Sequence, residues 1–364
     1  MADISFLLTQ ATIDWNTGMW GALIGWFNSF IPNYGWTIIV FTILIKIIVS
    51  PLDFLQRRAG VKSAEAQAKL KPDLDKIQKK YANDPEKARM KMQERQVQAL
   101  RNGEMKIGST CGVSLLYLVL MSIIFISLFS SMQTISKIQT INSYIQFENT
   151  YDEAVSQGKT KEEAEQIVLD MYNRGEARET WLWIDNIWKS DTATSVVYNF
   201  NEFKEVASAV SESPYIFEET EGSDKVLLTQ AKYDEVMGKI TTDTADKWNG
   251  YYILIILCGL ISFFSFQISM GASQKRLESQ NAKQPLIVKI MKFAMPCLMV
   301  IITLKYSSAF ALYIASASLF TLAATPIYNK IISKTSKSNI GTGNNNKETI
   351  NVDYKINKIT KLDN

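Results

Sequence analysis

The chain contains no histidine and only three cysteines in 364 residues. Without histidine, a Ser-His-Asp triad, a Cys-His pair and the commonest zinc sites are excluded. The cysteines, Cys111, Cys258 and Cys297, all lie in or beside apolar stretches, so the polar regions have no disulfide framework. The phosphate-binding pattern G-x-x-x-x-G-K-[ST] is also absent, which argues against ATP hydrolysis. We therefore predict neither a cofactor nor a metal.

The apolar residues, 47% of the chain, are concentrated in blocks. A spanning helix needs about 20 apolar residues, and four of five blocks come near that length. The fourth block is short and crosses a bilayer only if the bilayer thins locally or if Lys292 and Lys305 extend their ammonium groups to its surfaces. We predict five transmembrane helices, from the blocks 36–55, 108–130, 250–271, 293–304 and 309–327.

Lys46 lies near the centre of the first apolar block. At a rise of about 1.5 Å per residue, its Cα is roughly 14 Å from either end of the block, and half the hydrocarbon core of a bilayer is about 15 Å. A charge at that depth costs about 2.5–3.5 kcal/mol on insertion scales. We therefore predict a water-filled groove inside a small helical bundle, because such a groove would hydrate the ammonium.

The distribution of charge predicts the orientation in the membrane. Segment 57–106 has fourteen basic and seven acidic residues, a net charge of +7. Loop 133–248 has 11 basic and 22 acidic residues, a net charge of −11. Because short basic loops remain in the cytoplasm, we expect the N-terminus outside the cell and the C-terminus in the cytoplasm.

The predicted fold class is an all-α membrane protein, with five transmembrane helices around a hydrophilic groove, a cytoplasmic helical hairpin and a small extracytoplasmic insertion. The apolar run 19–31 is too short to span and suits a helix lying in the interface, with packing on the bundle as the alternative. The predicted segments are an extracytoplasmic interfacial segment (1–34), the first span (35–56), the cytoplasmic helical hairpin (57–107), the second span (108–131), an extracytoplasmic acidic domain (132–248), the third span (249–271), a cytoplasmic loop (272–291), the fourth span (292–305), the fifth span (309–328) and a cytoplasmic disordered basic tail (329–364).

Two polar regions carry clear helix signals. In the hairpin, Asp84 is predicted to cap a helix that begins at Pro85, and a stripe of Leu70, Leu74, Ile77 and Tyr81 marks the packed face of the helix before it. Its surface is either solvated or contacts a ribosome, acidic lipid or a partner. In the acidic domain, Thr160 to Glu163 form a capping box, the tryptophans of 181–188 suit the membrane interface, and 195–247 form a mixed insertion.

Several motifs, taken in order, resemble the YidC family of membrane protein insertases. The first span of that family runs from a Tyr-Gly-like start, through a threonine and a positive residue four positions later, to a Pro-Leu exit. The family usually has arginine where this chain has Lys46, and 195–247 has no counterpart in it. The resemblance covers roughly 35–192 and 250–330, through Gly35, Thr42, Lys46, Pro51-Leu52, Lys71-Pro72, Trp181-Leu182-Trp183-Ile184-Asp185 and Ala311-Leu312-Tyr313.

This resemblance implies a membrane protein insertase and assembly chaperone in the plasma membrane of a bacterium. Nascent transmembrane segments would pass from the cytosol to lipid through a groove that is open to both and closed outside. Nothing covalent happens in that step, so we predict that the protein is not an enzyme. The implied partners are nascent membrane proteins, the ribosome, the Sec translocon and membrane lipids, with no sequence-specific nucleic acid.

Five residues are predicted to line the groove, and each has a structural alternative. Lys46 could bond to neighbouring hydroxyls or carbonyls, and Thr42, one turn earlier on the same face, could bond back to its own helix. Gln267 could join helices. Tyr313, chosen because it matches the family position near the substrate path, could serve in packing, and Ser316 could let helices approach.

Two other functions compete with insertion. A small-solute transporter or channel would place Lys46 in its permeation path, but the chain shows no inverted repeat and no second ionisable residue deep in a span. A non-catalytic assembly scaffold would use the acidic domain to bind a partner. Solute flux in liposomes would favour the transporter or channel. Dependence of function on residues 195–247 would favour the assembly scaffold.

Overall fold

The computed structural model describes residues 11–15, 18–103, 107–192, 195–278 and 286–343. Those ranges form two compact units, which are described separately. The larger unit lies within Met1–Ser50, Leu116–Phe266 and Pro285–Phe320, and the smaller within Pro51–Leu115, Gln267–Gln284 and Thr321–Asn364. The described elements are α1 (Gly18–Asn28), α2 (Tyr34–Lys80), α3 (Pro85–Arg101), α4 (Ile107–Ser156), α5 (Lys161–Asn173), α6 (Phe200–Ser208), β1 (Tyr215–Ile216), β2 (Val226–Leu227), α7 (Gln230–Asp243), α8 (Ile253–Glu278), α9 (Leu286–Lys305) and α10 (Ser308–Gly343).

Several helices are apolar enough to enter a membrane. Three stretches within the described residues are long enough to cross it: Tyr34–Lys80, Gly112–Ser156 and Ser308–Lys334. Two shorter apolar helices, Ile253–Ser269 and Phe293–Lys305, coincide with the third and fourth predicted spans. The chain is thus a mainly helical membrane protein, as its sequence predicted, and the number of spans remains a prediction.

In the larger unit, the N-terminal ends of α2, α8 and α10 and the middle of α4 pack into one buried core, here called the end cluster. It draws on α1, α2, α4, α8, α10 and the connecting segment, residues 181–191. Burial of this many large apolar side chains is the main favourable term in holding the helix ends together, at about 1.5–3 kcal/mol for each side chain. Its buried members are Trp20, Ile24, Tyr34, Ile38, Phe41, Leu128, Met132, Ile135, Trp181, Ile184, Ile187, Trp188, Leu254, Cys258 and residues 309–314.

The connecting segment caps the first turn of α8. The carboxylate of Asp191 accepts hydrogen bonds from the backbone N–H groups of Tyr252 at 3.0 Å and Leu254 at 2.6 Å. Burial raises the pKa of the Asp191 carboxyl, and these backbone hydrogen bonds oppose that rise. Gly250 has a φ of 142°, and a Cβ at this position would overlap the Asp191 carboxylate, so glycine allows the close approach.

The same segment also caps α10. The backbone carbonyl of Lys189 accepts from the N–H of Ser308 at 2.9 Å and from its hydroxyl at 2.8 Å. The carbonyl of Ile187 accepts from the N–H of Ala309 at 2.8 Å. The first N–H groups of a helix have no partner inside the helix, and here they lie in an apolar core. These carbonyls therefore satisfy donors that would otherwise be costly to bury.

Tryptophans bind the connecting segment to α2 and α4. Trp181 packs directly on Gly35, and Trp188 lies edge-on to Tyr34 with ring centroids 4.5 Å apart. The hydroxyl of Ser136 in α4 donates to the carbonyl of Trp188 at 3.0 Å. Trp181 and Trp188 are only 8% and 3% exposed, so both rings are packed inside the protein, and the prediction that this segment lies at the membrane interface stays a prediction. Their rings fill the end cluster because the segment turns inward between helices.

Helix α1 combines the two roles that its sequence left open. Trp20 and Ile24 are buried in the end cluster, and the indole N–H of Trp20 donates to the hydroxyl of Ser127 at 2.8 Å. The opposite face is apolar and exposed, with Met19 at 64% and Trp26 at 58%. One face therefore packs on the protein, and the other has the composition of an interfacial helix.

The acidic domain has its own core, which includes residues of α4 through α7. Helix α4 is continuous from Ile107 to Ser156, so it forms both an apolar span and a wall of this core. The predicted capping box at Thr160 is confirmed, and α5 ends at Asn173 as expected. The mixed character of the insertion is also confirmed, because α6, the parallel pair β1 and β2, and α7 lie within it.

The smaller unit contains the predicted hairpin. Asp84 caps α3 through a 3.0 Å hydrogen bond from the N–H of Lys87, with proline at the start of the helix. Leu70 packs against Ala99 of α3, and Arg95 donates twice to one carboxylate oxygen of Asp73, at 2.9 and 3.1 Å. The stripe of larger apolar residues on α3 is exposed, and alanines form the packed face because they permit close helix approach. Its exposed members are Met90, Val97 and Leu100.

Helix α10 corrects one predicted boundary. The tail was predicted to be disordered from residue 329, but the helix continues to Gly343. Ile331 and Ile332 extend the apolar pattern past Pro326, and no glycine or proline follows until Gly341. The remainder of the predicted tail, 344–364, lies outside the described residues.

We predict that Gly35→Ala destabilises the larger unit by about 1–3 kcal/mol, because the added Cβ overlaps the Trp181 ring. Gly60→Ala is the matched control on the same helix, since a Cβ there meets nothing within 4 Å. The control should be neutral or more stable by up to about 1 kcal/mol. Thermal unfolding in detergent, followed by tryptophan fluorescence, measures both, and equal stability of the two variants would contradict the packing described.

We also predict a pH-dependent contribution from Glu148, which is 5% exposed in the acidic domain. The hydroxyl of Tyr215 donates to its carboxyl at 2.6 Å. Burial raises the pKa of Glu148, while this hydrogen bond and Lys232 oppose the rise. A raised pKa means that the contribution is present below the ordinary glutamate pKa of 4.5 and is lost as pH rises through the folded value.

Glu148→Gln should therefore flatten the decline in unfolding temperature above pH 4.5, because glutamine has no proton to release in this range. Glu162→Gln, at an exposed position of α5, is the control and should keep the wild-type profile. Scanning fluorimetry of the full chain over this pH range provides the measurement. Parallel profiles for all three proteins would rule out the assigned role.

Candidate functional site

Lys46 and Thr42 lie on α2 beyond the end cluster. The Lys46 side chain is half-buried, so it is neither sealed in the core nor fully open. Thr42 is 1% exposed, and its hydroxyl donates to the carbonyl of Ile38 at 2.6 Å. Thr42 therefore bonds back to its own helix, as one of its two interpretations expected. Any part that it plays in a groove remains a prediction.

On α10, Tyr313 and Ser316 occupy different environments. Tyr313 belongs to the end cluster, where its ring stacks on that of Phe310 with centroids 5.8 Å apart and planes at 27°. Ser316 lies almost one turn further along and is 8% exposed. Two residues beyond it, Ser318 pairs with Ser262 of α8, with 3.2 Å between the hydroxyl oxygens. Packing in the end cluster thus explains the burial of Tyr313, and any contact of Tyr313 with a substrate stays a prediction. Ser318 and Ser262 form a polar contact between α10 and α8.

The helices α2, α8 and α10 start at one common end, because the connecting segment contacts the first turn of each. Distances along the helices can therefore be compared at about 1.5 Å per residue. Counted from the first residue of each helix, one set of polar side chains lies at about 12 to 18 Å. This polar layer consists of Thr42, Lys46, Ser262, Ser265, Ser316 and Ser318.

The polar layer is closed on one side by the end cluster. Leu254 and Cys258 precede the layer on α8, Ile38 and Phe41 precede it on α2, and 309–314 precede it on α10. The thiol of Cys258 donates to the carbonyl of Ala311 at 3.2 Å, so even this polar atom is satisfied inside the core. Hydroxyls and one ammonium thus follow a tightly packed apolar plug along the three helices.

Gln267 lies on the part of α8 that belongs to the smaller unit, where its side chain is half-buried. In that unit, the guanidinium of Arg57 donates to the hydroxyl of Ser269 at 3.0 Å and lies over the ring of Tyr328, 5.8 Å from its centroid. The phenyl ring of Phe54 contacts the same tyrosine. These contacts bring α2, α8 and α10 together within the smaller unit.

Sequence reasoning missed Ser262 and Ser265, which are 8% and 7% exposed. A signal was available, because two serines three residues apart in an apolar block lie on one helix face. Within the described ranges, no group of three histidine, cysteine, aspartate or glutamate side chains is placed to hold a metal ion.

Comparison with known proteins matches this architecture to a membrane protein family. The family described as "60Kd inner membrane protein" matches residues 26–336. A protein of Pediococcus pentosaceus, named membrane protein insertase YidC, is 41% identical over 96 residues, which cover 23% of this chain and 33% of that protein. A protein of the same name from Fusobacterium nucleatum is 43% identical over 67 residues, 18% of this chain and 31% of that protein.

A third protein of that name, from Chlorobium limicola, is 44% identical over 62 residues, 17% of this chain and 10% of that protein. The chain thus matches at most about a third of the length of these relatives. The family match is much broader, since it extends from α1, through the connecting segment, into the last apolar helix. On that match, the chain belongs to the 60 kDa inner membrane protein family, to which the YidC resemblance pointed.

Proposed function

We propose that the protein is a membrane protein insertase and assembly chaperone, which moves nascent transmembrane segments from the cytosol into lipid. The single observation that carries this proposal is the polar layer. Six polar side chains lie at one depth on three helices, and Lys46, the only charge among them, is half-buried. The end cluster, on one side of the layer, would close a groove there to the outside.

Such a groove would lower the kinetic barrier to insertion, and the partitioning of the apolar substrate into lipid would supply the driving force. A segment of about 20 apolar residues gains on the order of 6–12 kcal/mol on entering lipid, at about 0.3–0.6 per residue. The polar tail that must cross with it is the obstacle. Water in the groove would shorten the apolar path, and the ammonium of Lys46 would attract an acidic residue of that tail in a medium of lowered dielectric.

We further propose five spans, with the N-terminus outside and the C-terminus in the cytoplasm. The three long apolar helices supply three of the spans, and the shorter apolar helices supply the third and fourth. The net charge of +7 in 57–106 and of −11 in 133–248 supports this orientation. The short fourth span would thin the bilayer beside the groove.

The proposed partners follow from the family and from charge. Relatives that carry the name membrane protein insertase support nascent membrane proteins as substrates. Delivery by a ribosome or by the Sec translocon is a further proposal, for which the basic α3 offers a suitable surface. No step requires nucleotide hydrolysis or a cofactor, because partitioning into lipid drives release.

The test replaces Lys46 in a strain depleted of its own insertase and scores insertion of a small single-span protein with an acidic tail. Lys46→Arg should retain insertion, because it keeps the charge. Lys46→Ala should slow insertion by about tenfold or more, because the loss of one charge-assisted contact is worth about 1.5–3 kcal/mol. Lys46→Glu should fail, because it repels the acidic tail.

Lys159→Glu is the matched control, since this lysine is exposed at the turn between α4 and α5 and its reversal makes the same change in net charge. The Lys159→Glu variant should insert the test protein at the wild-type level. If both Lys46→Ala and Lys46→Glu insert the test protein normally, the charge of Lys46 has no part in the mechanism. Flux of small solutes through liposomes that contain the purified protein, with no insertion activity, would instead establish the channel.

A further inference from the structure

A polar cavity of about 260 Å³ opens in the larger unit, away from the polar layer. It lies between α4, α6, the connecting segment and the turn that joins α9 to α10. The volume is far greater than one water molecule requires. Residues of the insertion line one side, and residues at the end of the apolar helix α9 line another.

Two cationic side chains line this cavity without a carboxylate partner. Among the residues that the structure describes, neither Lys137 nor Lys305 has an aspartate or glutamate oxygen within 4 Å. Lys305 is exposed at the end of α9, and Lys137 is half-buried on α4. Both ammonium groups therefore remain able to bind an anion from outside the chain.

Two further polar groups are buried there with no protein partner in the described ranges. The hydroxyl of Ser307 forms no hydrogen bond, although the residue is only 6% exposed. The side-chain nitrogen of Gln133 is likewise buried and without an acceptor. Leaving a buried polar group unsatisfied costs about 1–3 kcal/mol. The Ser307 hydroxyl and the Gln133 nitrogen therefore both favour a partner from outside the chain. Two ammonium groups, one amide and one hydroxyl form a set rich in donors.

The third lysine of the cavity, Lys189, is already occupied. Its ammonium donates to the hydroxyl of Ser195 at 2.6 Å, the carbonyl of Val197 at 2.8 Å and the carboxylate of Glu202 at 3.0 Å. An ammonium has three donors, so none remains for a ligand. Glu202 is neutralised by the same contact, and Glu205, the other carboxylate, is exposed. The charge left for a ligand to balance is positive.

The surface next to the cavity indicates where the anion comes from. Helix α9 leads to Lys305 with an apolar, exposed face that includes Ile301 at 54% and Leu304 at 38%. Lysines at the end of an apolar helix lie at headgroup depth in a bilayer. Acyl chains would therefore lie along α9 while the headgroup reaches the donors.

We propose that this cavity binds the phosphate of an anionic phospholipid, held between Lys137 and Lys305 and completed by Ser307 and Gln133. The bound headgroup bridges α4 and the end of α9, so it stabilises the packing of these two helices. The site is independent of the polar layer, and its test does not rely on insertion activity.

The test measures unfolding temperature of the full chain in nonionic detergent, titrated with phosphatidylglycerol, phosphatidylcholine or inorganic phosphate. Phosphatidylglycerol should raise the unfolding temperature saturably, and the other two should not. Lys137→Gln combined with Lys305→Gln should weaken binding by about tenfold or more for each charge removed. Ser307→Ala, a smaller change, should weaken it less, and Lys305→Arg should retain it.

Lys159→Gln serves as the control for a general loss of positive charge and should bind like wild type. Each variant is first compared with wild type by circular dichroism and by its unfolding temperature without lipid. An equal rise in unfolding temperature with inorganic phosphate would assign the site to a free anion and overturn its assignment to a lipid. The absence of any shift in wild type, or an undiminished shift in the double variant, would overturn the site itself.

Discussion

The larger unit depends on one constraint, the need to satisfy helix N-termini inside an apolar core. The first turns of α8 and α10 carry N–H groups that no residue of their own helices can pair. The connecting segment supplies the Asp191 carboxylate to one helix and two backbone carbonyls to the other. Because one short segment serves both ends, and Trp181 also lies on Gly35, three helices share a common level. The distance of every other residue from this shared end then follows from its position along its own helix.

That common level explains why a polar layer and a packed plug can coexist in one bundle. Within about two turns of the shared end, the inward-facing residues of each helix, such as Ile38, Leu254 and Phe310, meet side chains from several helices and are almost completely buried. Farther along, serine and threonine replace large apolar residues, and Lys46 is only partly covered. Small hydroxyl residues let helices approach while offering hydrogen bonds, as the 3.2 Å contact of Ser262 with Ser318 illustrates.

Patterns that act over a few residues were predictable from the sequence, and contacts between distant segments were not. The caps at Asp84 and Thr160 and the mixed insertion were all predicted, because capping chemistry and periodicity are local. Thr42 illustrates what the sequence leaves open, because a threonine can bond back to its own helix, as Thr42 does to Ile38, and can also face a groove, which stays a prediction. The burial of Trp188 could not be foreseen, since tryptophan suits both a membrane interface and a core. The cavity at Lys305 could not be predicted, because its lining comes from four segments that are separated in the sequence.

The unbroken course of α4 gives the acidic domain a rigid stem. Residues 132–156 prolong the second apolar block by about 37 Å with no proline or glycine to act as a hinge. A tilt of only about 10° in the membrane would therefore swing the far end of the stem by about 6 Å. Because the stem and the apolar part of α4 belong to one unbroken helix of nearly equal halves, any tilt of the apolar part tilts the stem as well. Small rearrangements of the apolar helices would thus move the far end of the acidic domain by several ångströms.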